Sequence, residues 1–257
     1  MNLQINSKYN NQSIEITNCI LNFDTEGSLF VKGSRNTIKV FESTLGELNI
    51  KSFKKPNIIN TIGYKFFRAS KAKRSFDFAM KLIDKNIGTP EPIAFAEFNN
   101  GIGLGKSFYV CKHINAKYTY RDLVEKPNLP EHEEILRAFT RFCFQLHEAG
   151  VEFKDHSPGN TLINPNGNGG YDFYLVDLNR MTFHESMSFE LRMFNLRRLT
   201  PKKEMVAVMA NEYAKLYSNK SEADIFDLMW GLTQKFQHKF HSKQRMKKKL
   251  KFWKKYN

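Results

Sequence analysis

The order of apolar and polar positions divides the chain into a strand-rich first part and a helix-rich remainder. Residues 13–23, 28–31, 37–41 and 48–53 are short runs with β-branched or aromatic content, and they predict strands. Gly27, Gly33-Ser34 and Gly46 punctuate them. Over 70–85 the period changes. Phe76, Ala79, Met80 and Ile83 recur at three- and four-residue steps, which predicts a helix stopped by Gly88-Thr89-Pro90. Strands follow at 93–98 and 107–112, around the turn Asn99-Asn100-Gly101. From Leu123 the pattern is helical. Residues 131–149 place Ile135, Leu136, Phe139, Phe142, Cys143 and Leu146 on one face and end at Gly150. A polar loop over 151–160 leads to short strands at 161–163 and 174–176, joined by a turn over 164–170. From about Phe189 the chain reads mostly as helix, with 204–217 and 222–235 amphipathic. The expectation is an α+β fold of two lobes, a β-rich lobe over 1–112 and a mainly helical lobe over 113–257, hinged near 112–116. A cleft between two lobes is a usual place for a ligand.

With 41% apolar residues in 257, the chain can bury a core, which excludes a wholly disordered protein. The charge narrows the partners. The net charge is +14, and residues 235–257 hold ten Lys/Arg and no acid, so only +4 remains for the rest. A second run, 51–74, has eight basic residues and no acid. Such a balance favours an anionic partner: nucleic acid, an anionic membrane surface or a phosphorylated substrate. In the basic tail Phe236, Phe240, Met246, Leu250, Trp253 and Tyr256 share a broad helical face. Cations with aromatics on a helix read as a segment lying on a membrane surface. A last helix that buries its aromatics and solvates its lysines is the plainer alternative. No uncharged apolar run approaches the roughly 20 residues of a membrane span. Residues 1–9 lack the apolar stretch of a secretory signal. The expected location is cytoplasmic, with peripheral contact at the inner face of the cytoplasmic membrane. Cys19, Cys111 and Cys143 form no C-x-x-C pair, which argues against a zinc site or a disulfide framework.

The chemistry concentrates in two segments: Phe153-Lys154-Asp155-His156-Ser157-Pro158-Gly159-Asn160 and Leu175-Val176-Asp177-Leu178-Asn179-Arg180. A carboxylate precedes a carboxamide by five residues in a loop after a helix, and a second carboxylate ends a later strand. Phosphoryl transfer from ATP uses these parts. One Asp orients or deprotonates the attacking hydroxyl, while an Asn and another Asp hold Mg²⁺ against the phosphates. Oxygen ligands suit that hard cation.

Asp155 and Asn160 keep the D-x-x-x-x-N spacing of the protein-kinase-like superfamily, which the chain resembles. The resemblance implies Asp155 as the catalytic residue and Asn160 with Asp177 as the metal-holding pair. The His-Arg before the catalytic Asp is Phe153-Lys154 here, the D-F-G is Asp177-Leu178-Asn179, and no A-P-E follows. Only 80 residues follow Asp177, which suits a compact small-molecule or sugar kinase without a long activation segment. The chain is most similar to the bacterial lipopolysaccharide kinase family, the Kdo and heptose kinases of the endotoxin core. The residues that carry this are Ser70-Lys71-Ala72-Lys73-Arg74-Ser75, Gly88-Thr89-Pro90-Glu91-Pro92, Asp155 to Asn160, and Val176-Asp177-Leu178-Asn179-Arg180-Met181.

The resemblance also implies a strand lysine that grips the α- and β-phosphates, held by an acid on the nearby helix. Lys51, between apolar neighbours in Asn49-Ile50-Lys51-Ser52-Phe53, is the choice, with Lys54 and Lys39 as rivals. Asp77 is its expected acid partner and Glu91 the alternative. Gly33, Ser34, Arg35 and Asn36, between two strands, are the expected phosphate-covering turn. Gly101 to Lys106 lacks the spacing of a phosphate loop and reads as a hairpin tip. His156 invites a general-base role but reads as a substrate-side or structural residue. Arg180 suits an anion or a local acid.

The expected function is an ATP- and Mg²⁺-dependent kinase acting on a lipid-A-linked core sugar. A kinase acting on a soluble small molecule or a protein is the alternative. A non-enzymatic nucleic-acid binder is disfavoured, because the charge is concentrated in a tail and no helix-turn-helix, RRM or KH pattern is present.

Overall fold

The computed structural model describes residues 1–34, 36–54, 69–100 and 103–256. It divides into two compact units, Met1–Asn115 with Tyr174–Arg180, and Ala116–Phe173 with Met181–Asn257.

The first unit is built on a six-stranded antiparallel sheet. Its strands are β1 (Asn2–Ile5), β2 (Ser28–Lys32), β3 (Asn36–Phe41), β4 (Leu48–Phe53), β5 (Pro92–Asn100) and β6 (Gly103–Lys112), in the order β1-β5-β6-β4-β3-β2. Strand alternation decides which side chain goes where. Leu48, Ile50, Ala94, Ala96, Phe108 and Val110 project to one face and join Ile16, Cys19, Ile20 and Phe23 in a buried cluster. Those last residues belong to or follow helix α1 (Ser13–Leu21). This corrects the strand expected at 13–23. The β-branched Ile and Thr residues there favour a strand only weakly. Ile16, Cys19 and Ile20, at helical spacing, are buried together in a helix. Fully burying each isoleucine is worth about 2 kcal/mol, more than its propensity deficit.

Helix α2 (Lys71–Asp84) is capped by Ser70, whose hydroxyl accepts from Lys73 N at 3.0 Å. It ends earlier than Gly88. Asn86 takes the left-handed conformation (φ 56°), with Asn86 N bonded to Ile83 O and Ile87 N to Leu82 O. That is a Schellman ending with asparagine in the glycine position. Phe76 of α2 meets Phe95 of β5 with ring centroids 5.5 Å apart. Helix α2 therefore packs on the sheet face opposite α1.

The second unit contains β7 (Tyr118–Thr119), α3 (Tyr120–Glu125), α4 (His132–Glu148), β8 (Val151–Phe153), β9 (Thr161–Pro165), β10 (Tyr171–Leu175), β11 (Met181–Phe183), α5 (Phe189–Leu196), α6 (Lys203–Ala214) and α7 (Glu222–Tyr256). The last residues of β10 are counted with the first unit. Helix α4 buries Ile135, Leu136, Phe139, Phe142, Cys143 and Leu146 as its periodicity requires. Among the described side chains of α7, Ile225, Met229 and Thr233 are buried, while those over 238–248 are mostly exposed, with Phe240 and Met246 about half exposed. No described helix is long and apolar enough to cross a membrane. All three cysteines are buried thiols.

Gly150 separates α4 from β8. It adopts φ +71°, and a Cβ there would lie 2.0 Å from His184 O, backbone that is itself fixed by the β8–β11 pairing. Gly46 also has a positive φ, +84°, but open space around it. Gly46→Ala should cost only the left-handed penalty, about 1–2 kcal/mol. Gly150→Ala adds a backbone clash and should cost about 4 kcal/mol or more. Thermal unfolding of the two variants side by side checks this, and equal losses would contradict it.

Candidate active site

In the first unit, Lys51 lies at the centre of the sheet. Its register partner on β6 is Tyr109, which pairs in turn with Phe95 on β5. Lys51 thus projects to the α2 face, opposite Ile50. Its side chain is 10% exposed, and Nζ donates to Asp177 Oδ1 at 2.6 Å. A buried ammonium without a partner is costly, so this pair fixes both residues. Lys39 instead donates to Glu26 O at 2.6 Å, and Lys54 is exposed beyond the end of β4.

Asp177 reaches Lys51 because its segment is tied to the first unit. Leu175 N donates to Gly88 O at 2.9 Å, and the Thr89 hydroxyl donates to Leu175 O at 2.9 Å. Gly88-Thr89 thus anchors the strand that carries Asp177. The Asp177 backbone is left-handed (φ 61°), uncommon for any residue but glycine and most tolerable for Asp or Asn. Its carboxylate also accepts from Asn179 Nδ2 at 2.8 Å.

Two expectations need correction here. Asp77 is paired with Lys73, one turn away on α2, at 2.9 Å, and Glu91 is paired with Lys8 at 2.5 Å. The ion-pair partner of Lys51 is Asp177. In the turn between β2 and β3, Gly33 N donates to Asn36 O at 2.9 Å. That N–H closes the hairpin and is not offered to a phosphate. Ser34 is exposed at the tip, and Arg35 lies outside the described residues.

In the second unit, the loop expected over 151–160 is more ordered than its polarity suggests. It opens with β8, paired antiparallel to β11 in the register Phe153↔Met181, and closes with a 3₁₀ turn over Pro158–Asn160. Between them, three successive carbonyls are each held by a side chain. Asn195 Nδ2 donates to Phe153 O at 2.9 Å, Arg198 Nη1 to Lys154 O at 2.8 Å, and Asn160 Nδ2 to Asp155 O at 2.8 Å. Arg198 Nη1 also meets Asp155 Oδ1 at 3.1 Å. Asp155 and Asn160 are brought together in this way.

His156 is fully buried, its ring 5.4 Å from that of Phe153 and 5.8 Å from that of Phe139. Burial pushes its pKa down to about 4, opposed by Asn195 and reinforced by the Arg198 charge. His147, also buried, is pushed down to about 3 for the same main reason. Its Nδ1 lies 2.9 Å from the Tyr213 hydroxyl. His156 is therefore a structural imidazole and not a base. Both rings resist protonation only when folded, so the unfolded chain binds more protons below its ordinary value near 6.5. The stability they contribute is present above that value and is lost as pH falls toward 4. Each should remove about 1 kcal/mol per pH unit. Melting temperature should fall between pH 7.5 and pH 5, and His156→Asn should flatten that slope. A slope unchanged by the substitution would contradict this.

Taken singly, each residue suits magnesium: Asp177, in the first unit, has a carboxylate 41% exposed, and Asn160, in the second unit, carries an amide group. One or two carboxylates completed by phosphate oxygens is the usual donor set for this ion. Among the described residues no group of three or more His, Cys, Asp or Glu is placed to hold a metal alone.

Sequence reasoning missed Asn195 and Arg198, which hold the Asp155 loop from α5 and the turn after it. No motif marks them, and only the fold brings them near.

Comparison with known proteins gives a consistent result. The solved structure of WaaP in complex with acyl carrier protein has the same fold, with a TM-score of 0.61 at 14% identity, over 94% of this chain and 99% of that one. No curated protein sequence matches the chain. The model of the lipopolysaccharide kinase (Kdo/WaaP) family matches residues 44–229, a span that includes Lys51, Asp155, Asn160 and Asp177. On that match the chain belongs to the lipopolysaccharide kinase (Kdo/WaaP) family.

Proposed function

We propose that the protein is an ATP-dependent kinase that phosphorylates a sugar hydroxyl, of Kdo or heptose, in the lipopolysaccharide inner core. The ion pair between the buried Lys51 and the half-exposed Asp177 is the observation that supports this most. It joins the residue that would grip the phosphates to one that would hold the metal. Lys51 supplies a fixed positive charge at the phosphates. Asp155 accepts the proton of the acceptor hydroxyl, and the three held carbonyls of its loop keep the carboxylate in place. Mg²⁺, when bound by Asp177 and Asn160, neutralises charge on the phosphates. The acceptor is a lipid in an anionic leaflet, and exposed Lys239, Lys243, Lys247 and Lys248 of α7 suit that surface.

The test is transfer of labelled γ-phosphate to Kdo–lipid A, to a heptose-bearing core and to soluble sugars, aminoglycosides and peptides, with mass analysis of the product. Label on the lipid-linked sugar, in an ATP- and Mg²⁺-dependent way, is the expected result. Label confined to a soluble acceptor would overturn the choice of substrate.

A further inference from the structure

We infer that Arg198 is the positioning residue of Asp155, and that Phe236 of the C-terminal helix holds Arg198 in place. The inference rests on the proposed role of Asp155 as the group that meets the acceptor hydroxyl.

A catalytic carboxylate must present one oxygen to the substrate in a fixed direction. A charged donor on its other oxygen achieves this. Arg198 Nη1 makes that contact, 3.1 Å from Asp155 Oδ1, and the same nitrogen bonds Lys154 O at 2.8 Å. One group thus fixes both the side chain and the adjoining backbone. The two side chains are only 28% and 22% exposed, so water screens the pair incompletely. Asn195, three residues earlier, fixes Phe153 O, so the turn after α5 and the Asp155 loop are joined at consecutive positions.

Arg198 is itself held from the other side. Its guanidinium carbon lies 5.5 Å from the centroid of the Phe236 ring on α7, and that of Arg197 lies 6.0 Å from the same ring. A ring face toward a cation at this distance is attractive. Phe236 is also the position where α7 passes from its buried part to its exposed basic part. The helix that carries the exposed lysines therefore contacts, through Phe236 in its middle, the residue that meets Asp155. A change in the seating of α7 would reach Asp155 through two contacts, both within one unit.

The experiment compares Arg198→Ala, Arg198→Lys, Phe236→Ala, Asp155→Ala and the double variant Arg198→Ala/Asp155→Ala in two measurements. Turnover with ATP and Kdo–lipid A is the first. Arg198→Ala should lower kcat about 10–100-fold with KM for ATP little changed, as expected for a misplaced group. Arg198→Lys should recover part of it, and Phe236→Ala should show a smaller loss of the same kind. The double variant should be no worse than Asp155→Ala alone, because the arginine acts only through that carboxylate. A merely structural arginine would instead add its loss to that of Asp155→Ala. Hydrogen exchange of residues 153–160 is the second measurement and does not depend on activity. Exchange there should rise in Arg198→Ala and Phe236→Ala. Unchanged exchange in the loop overturns the inference even if the enzyme is active. If no variant and no wild-type protein transfers phosphate, the proposed function fails, and the exchange data still decide whether Arg198 positions the loop.

Discussion

Asp155→Ala should lower kcat by about a thousandfold, within the range for loss of a general base, while the protein stays folded. The separation of these effects follows from the surroundings of Asp155. Its carboxylate is near the surface and its ion pair with Arg198 is partly solvated, so removing it costs the fold at most about 1 kcal/mol. The backbone of the loop keeps its ties to Asn195, Arg198 and Asn160, all of which reach carbonyls. The expected outcome in steady-state kinetics is a fall in kcat with KM for ATP nearly unchanged, beside a melting temperature lowered by only a few degrees. Activity equal to wild type would remove Asp155 from the chemistry. Substitution of His156 should behave in the opposite way, with stability lost first, because that ring fills the core between Phe139 and Phe153.

Lys51→Met should be as inactive and at least as stable. Methionine fills a similar volume and removes the cost of keeping an ammonium in a largely closed position. The remaining Asp177 carboxylate is 41% exposed and can be solvated by water. Transition-state charge on the phosphates loses its fixed counter-charge, which should reduce kcat/KM for ATP by about 10²–10³-fold. Lys51→Arg should not rescue it, because the Lys51 side chain is only 10% exposed and the guanidinium is planar and larger. The assay is ATP turnover beside thermal unfolding. A stable, active Lys51→Met variant would contradict the role, and an unfolded one would contradict the energetic account of the ion pair.

The local pattern revealed elements wherever one face is buried with a regular period. Strand β4 and helices α2 and α4 are of this kind, because their core positions repeat without interruption. It failed at α1, where Ile and Thr residues suited to a strand are buried at helical spacing by the sheet they pack on. It also passed over β11, three residues whose strand character comes only from pairing with β8. The candidate site divides along the same line. Asp155 and Asn160 stood out as candidates by their five-residue spacing, and Asp177 by its place at the end of a strand. Gly88-Thr89 read as a helix stop and as part of the family pattern, but their bonds to Leu175, at the end of the strand that leads to Asp177, could not be read from the chain. The partner of Lys51 was not legible: nothing in the chain order says that residue 177 rather than 77 meets it. Arg198 and Phe236 are further examples, ordinary residues of a basic helical region that acquire a role only from tertiary contact.

The proposed kinase activity requires Lys51, Asp177 and Asn160 to serve one magnesium–nucleotide complex. Calorimetric titration of ATP into wild type, Asp177→Ala and Asn160→Ala, each with Mg²⁺ and with chelator, tests this most directly. Wild type should bind ATP at least tenfold more tightly with Mg²⁺ than without, as electrostatic bridging to phosphate requires, and both variants should lose that difference. ATP affinity that ignores the metal in wild type, or a metal effect that survives both substitutions, would contradict it.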